Sequence, residues 1–152
     1  MKKFMLTCCL FLFSTMSYAI DSVEYIKTCK TSAAGKLAVM QGFPYYCTYQ
    51  YITRASINGS DTIENINRVF DIVYDALSKL TPEEFDNRLA AYIKFDKGIV
   101  KDPQLLPAYC EVILYKMEEK KNPNISNLDP DMLGTEHNKK CQELINRPWY
   151  IN

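Results

Sequence analysis

The sequence predicts an all-α fold, a small disulfide-stapled bundle of about five to six helices. Three observations predict it. First, Ile63, Ile66, Phe70, Val73, Leu77 and Leu80 recur at steps of 3, 4, 3, 4 and 3, the period of an amphipathic helix. Second, helix-start patterns stand before several segments: Asp21 with Glu24, Asp61-Thr62-Ile63-Glu64, and Thr81-Pro82-Glu83-Glu84. Third, Cys29, Cys47, Cys110 and Cys141 form an even set in a chain that carries an export signal, which reads as two disulfides. No stretch alternates apolar and polar residues for long enough to argue a sheet. Tyr45 to Ile52 has strand-like propensity. Pro44 fits a first helical position, however, and Cys47, Tyr51 and Ala55 fall at i, i+4 and i+8, so this stretch reads as helix.

The elements follow in order. Met1-Lys2-Lys3 is a basic start, Phe4 to Phe13 is an apolar run broken by Thr7, and Ser17-Tyr18-Ala19 supplies small residues at −3 and −1. This is the pattern of a secretory signal peptide over 1–19, cleaved after Ala19. The apolar run is roughly half the ~20 residues that span a bilayer. Cleavage leaves 133 residues with 16 basic and 18 acidic side chains, a formal charge of −2. The expected product is a single helical domain over 20–152, periplasmic or secreted, with no integral membrane segment. With 47% hydrophobic and 24% charged residues, the composition is that of a globular domain and excludes a disordered or collagenous chain. The charge balance offers no electrostatic footprint for nucleic acid.

Residues 22–30 read as the first helix, with Val23, Ile26 and Cys29 on one side. Ala34 to Met40 reads as a short helix or a loop. A helix over 44–57 stops at Asn58-Gly59-Ser60. The periodic helix over 63–80 follows. The next helix opens at Thr81-Pro82, buries Phe85, Leu89, Tyr92 and Ile93, and ends at Gly98. Asp102-Pro103 starts another, with Leu105, Leu106, Tyr109, Ile113 and Met117 inward. Glu118 to Asn127 is a charged linker. The last helix runs near 130–146. Sequential helices in a small bundle pack as neighbours, which favours Cys29–Cys47 and Cys110–Cys141. Zinc is disfavoured because no C-x₂₋₄-C pair follows Ala19, and no C-x-x-C redox motif exists there.

Chemistry-bearing motifs are sparse. His137 is the single histidine and sits in a polar segment. Glu83, Glu84 and Asp86 could suggest paired catalytic carboxylates. Their place at a helix start, where the dipole favours negative charge, explains them without catalysis. No phosphate-cradling glycine loop and no H-E-x-x-H occur. The expectation is therefore a non-enzyme with no catalytic, cofactor-binding or metal-binding residue. Asn58-Gly59-Ser60 and Asn124-Ile125-Ser126 match the glycosylation sequon, relevant only in a eukaryotic secretory pathway. Tyr45, Tyr46, Tyr49 and Tyr51 fall within seven residues. On a helix they spread over more than one face, so all four cannot be core. Tyrosine and tryptophan are favoured as interface anchors. Tyr45, Tyr46, Tyr49 and Trp149 are the expected partner-binding residues.

The stretch from Asp21 to Cys29, followed by Tyr46-Cys47-Thr48-Tyr49-Gln50-Tyr51-Ile52, resembles the opening of the Rap1a/Tai family. Those are small periplasmic immunity proteins of type VI secretion systems. The resemblance covers about 35 of the mature residues, and the second half of the chain does not follow it. It implies an all-α, disulfide-bonded inhibitor of a cell-wall-degrading toxin, with that toxin as protein partner. Two other expectations stand beside it: a secreted virulence or host-interaction factor, and a periplasmic carrier or chaperone with an apolar cavity between helices.

Overall fold

The structure, a computed structural model, describes residues 21–98, 103–124 and 130–147. The expected signal peptide and Trp149 lie outside these residues. Within them the fold is all-α, as expected. In chain order the elements are α1 (Ser22–Thr31), α2 (Ala33–Met40), α3 (Tyr46–Asn58), α4 (Ile63–Leu77), α5 (Pro82–Lys97), a 3₁₀ turn (Pro103–Leu105), α6 (Leu106–Lys121) and α7 (Pro130–Asn146).

Seven α-helices among the described residues exceed the expected five to six, because the ambiguous stretch before Gln41 is a helix of its own. Its start is capped. The Ser32 hydroxyl accepts from the Gly35 N–H at 3.1 Å, satisfying one of the orphan donors of the first turn. The α1–α2 corner is tight. A Cβ at Gly35 would lie 2.0 Å from the Cys29 carbonyl oxygen, so no other residue fits without moving the backbone. Gly59 closes α3 at φ 60°, a left-handed conformation that glycine adopts without penalty.

At α1 the cap is where the sequence pattern places it, whereas at α4 it falls one residue later, at Thr62 in place of Asp61. Asp21 accepts from the Val23 N–H at 2.9 Å, and Thr62 accepts from the Asn65 N–H at 3.2 Å. At α5 the reciprocal capping box is complete. Thr81 Oγ1 accepts from the Glu84 N–H at 3.2 Å, and Glu84 Oε2 accepts from the Thr81 N–H at 2.7 Å.

On α4 the apolar stripe buries Ile66, Val69, Phe70, Val73 and Leu77. Ile63 departs from the expected stripe: it begins the helix and is 71% exposed. The helix also stops at Leu77, short of the half-buried Leu80. The centre of the molecule is α3, nine of whose thirteen residues are buried. It packs on α1, α2, α4 and α6, and its tyrosines reach Tyr92 of α5. The two disulfides are Cys29–Cys47, with a Cα–Cα distance of 5.7 Å, and Cys110–Cys141, with 5.8 Å. This is the pairing expected from helix order. The first ties α1 to the central helix, and the second ties α6 to α7.

Candidate binding surfaces

The tyrosine cluster is where the structure corrects the sequence reading most. Tyr46 and Tyr49 are 3% and 5% exposed. They are core residues, not surface anchors. The Tyr46 ring meets Phe95 edge-on at 4.8 Å, and the Tyr49 ring lies 5.0 Å from Tyr92. The expectation assumed a helix with one solvent face. Because α3 is enclosed on several sides, its residues can spread over more than one face and still be buried. Tyr45, just before α3, is half-buried.

The same enclosure gathers a polar cluster. Asp96 of α5 is fully buried. Its Oδ1 accepts from Gln50 Nε2 at 2.5 Å and from the Tyr46 hydroxyl at 3.4 Å. Gln50 Oε1 in turn accepts from Arg54 Nε at 2.5 Å. Thr53 Oγ1 shares a hydrogen bond with the Tyr92 hydroxyl at 3.4 Å. Asp96 Oδ2 has no partner among the described residues. Burial pushes the Asp96 carboxyl up to about 6, against the opposing hydrogen bond from Gln50 and the charge of Arg54. Burial likewise holds the Tyr46 hydroxyl well above its ordinary range and pushes Tyr49 up to about 12. A perturbed carboxylate suggests a functional site only where a ligand can reach it. Asp96 lines none of the cavities described below, so the cluster reads as a polar core.

The other titratable candidates are engaged locally. Glu84 belongs to the α5 cap, and the backbone N–H of Thr81 holds its carboxyl below the usual range. Asp86 pairs with Lys140 of α7 at 2.8 Å, and Glu83 is exposed in the first turn of α5. His137 Nε2 lies 2.7 Å from Glu118 Oε2, joining α7 to α6.

Two surface features remain. One is an apolar edge in the second half of α2. Leu37, Val39 and Met40 are 45%, 55% and 84% exposed, with Val23 also exposed on α1. Lys27, Lys30 and Lys36 are exposed on the same two helices. Sequence reasoning missed this edge. The signal is a run of four apolar residues, Leu37 to Met40, in a helix of eight: of the four, only Ala38 is buried. The other feature is a groove of about 690 Å³ between the end of α3, the start of α4, and α6 and α7. Ala55, Ile57, Ile63, Ile66 and Val112 form its apolar wall. The exposed Ile63 therefore stands at a groove edge, not on open surface.

No protein family, curated protein or solved structure matches this chain. Among the described residues no helix is long and apolar enough to cross a membrane.

Proposed function

We propose that the protein is an exported, non-enzymatic binding protein, and that it serves as a periplasmic immunity protein whose rigid helical surface occludes a cell-wall-degrading toxin. The observation that carries the reading is the α2 edge. Leu37, Val39 and Met40 stand out on a helix held by the Gly35 contact and by the Cys29–Cys47 bridge beside it. Large exposed apolar side chains on a fixed element are inexpensive to bury against a partner, because little conformational freedom is lost on docking. Exposed Lys27, Lys30 and Lys36 outnumber the exposed Asp21 and Glu24 at this end, which favours a partner with an apolar cleft and an acidic rim. The resemblance of the first third to a family of immunity proteins names the class of partner. Two disulfides suit an oxidising compartment.

The test is a stoichiometric inhibition assay against a peptidoglycan hydrolase encoded beside this gene. One equivalent of the protein should abolish hydrolysis. Met40→Asp and Leu37→Asp should each weaken the complex by about 2 kcal/mol or more, roughly thirtyfold, with the melting temperature unchanged. Inhibition that survives both substitutions removes the α2 edge from the account. A neighbouring hydrolase that is neither bound nor inhibited overturns the immunity reading itself.

A further inference from the structure

The groove between α3, α4, α6 and α7 has a chemistry of its own, independent of the α2 edge. Its wall is apolar, and its volume of about 690 Å³ lies within the range of small-molecule sites. Its charged members are Asp61, Glu111, Lys116, Glu119 and His137. The two cationic candidates are already engaged. Lys116 Nζ donates to Asn67 Oδ1 at 2.6 Å and pairs with Glu119 at 3.0 Å, and His137 is held by Glu118. The carboxylates of Asp61 and Glu111 are different. Asp61 Oδ1 accepts from the Thr62 N–H at 2.7 Å, Asp61 Oδ2 accepts from Asn65 Nδ2, and Glu111 Oε1 accepts from Asn138 Nδ2 at 2.7 Å. Neither forms an ion pair among the described residues. In the same wall Ser56 Oγ is shielded from water without a hydrogen-bond partner.

Two half-buried carboxylates without an ion-pair partner, beside an apolar wall, set a negative field that water screens less than on open surface. We propose that this groove is a binding site for an amphipathic organic cation, a molecule with an apolar body and an ammonium or guanidinium head. The apolar body covers Ile57, Ile63, Ile66 and Val112, and the head sits against the carboxylates that line the groove. An anion with the same apolar body meets these two carboxylates without a counter-charge.

Isothermal titration of the mature protein with decyltrimethylammonium and with decyl sulfate, each below its micellar concentration, tests this. The cation should bind with one-to-one stoichiometry and at least about tenfold more tightly than the anion, a difference of about 1.4 kcal/mol. Combining Glu111→Gln with Asp61→Asn should bring the two affinities to within about twofold. Val112→Trp should abolish binding of both by filling the groove. If that variant does not fold, as judged by its thermal melt, Ala108→Met narrows the same groove with a smaller side chain and should weaken both. Equal affinities for cation and anion, a preference unchanged by the charge substitutions, binding unaffected by the filled groove, or no binding at all would each overturn the proposal. None of these outcomes bears on inhibition of a hydrolase through α2.

Discussion

Helix α4 hides one face and wets the other, whereas α3, packed beside it, has almost no wet face. On α4, Val69, Phe70 and Val73 are buried while Arg68, Asp71, Ile72 and Asp75 are exposed. On α3, every residue from Tyr46 to Thr53 is buried. The two helices do not differ because one is greasier. Thr48, Gln50 and Thr53 sit in the buried run of α3, which therefore needs internal partners. Gln50 finds Asp96, and Thr53 Oγ1 donates to the Tyr49 carbonyl at 2.8 Å. The helices differ in how many neighbours surround them. Hydrophobic periodicity reports burial only where one side of a helix is left to solvent. A central helix erases the period, and its polar residues then mark core networks instead of surface.

Substitution costs should follow this contrast, and three experiments break or sharpen it. The largest effects belong to the buried aromatics. Phe70→Ala on α4 and Tyr51→Ala on α3 should each cost about 3–5 kcal/mol in denaturant unfolding, through lost burial plus the cavity left behind. Moving two residues along α4, Ile72→Ser should change stability by no more than about 0.5 kcal/mol, because Ile72 is exposed. Moving one residue along α3 should bring no such relief: Ile52→Ala should cost about 2–5 kcal/mol. A cheap substitution at Ile52 would show that α3 has a free face after all.

The second experiment uses the buried carboxyl. Asp96 holds its proton up to about pH 6 in the folded protein, against 3.8 ordinarily. The folded state therefore binds more protons than the unfolded state between these values. Stability falls as pH rises through that window and stays at the lower level above it. Asp96→Asn keeps an acceptor for Gln50 and removes the ionisation. Its stability should be nearly flat from pH 4 to 7, and near pH 8 it should exceed the parent by about 3 kcal/mol at most. Parallel pH curves for parent and variant would mean that Asp96 is solvated, and that the polar run of α3 is not enclosed.

How much of this was legible follows the same physics. The caps at Asp21 and Thr81 were readable to the residue, and that of α4 to within one residue, because each is local, a side chain answering a backbone N–H two or three residues away. The cysteine pairing was readable because helix order limits which ends meet. The burial of Tyr46 and Tyr49 was not readable from spacing, since it depends on five other helices closing around α3. Three polar residues, Thr48, Gln50 and Thr53, set among aromatics were the available clue. The groove was not readable either: Ala55, Asp61, Val112 and His137 share it only because α3, α4, α6 and α7 converge. The α2 edge is a middle case. Its apolar run is plain in the sequence, but its exposure depends on how little covers that short helix.

The claim on which the rest depends is that the tyrosines of α3 hold the core together and that partner contact lies elsewhere. Equilibrium unfolding of Tyr49→Ala beside Tyr45→Ala tests it most directly. Tyr49 is 5% exposed and packed on Tyr92, so its removal should cost about 3–5 kcal/mol, while the half-buried Tyr45 should cost clearly less, about 1–2 kcal/mol. A loss below about 1 kcal/mol at Tyr49, or a larger loss at Tyr45 than at Tyr49, would contradict the enclosed helix and return Tyr49 to the surface as a candidate anchor.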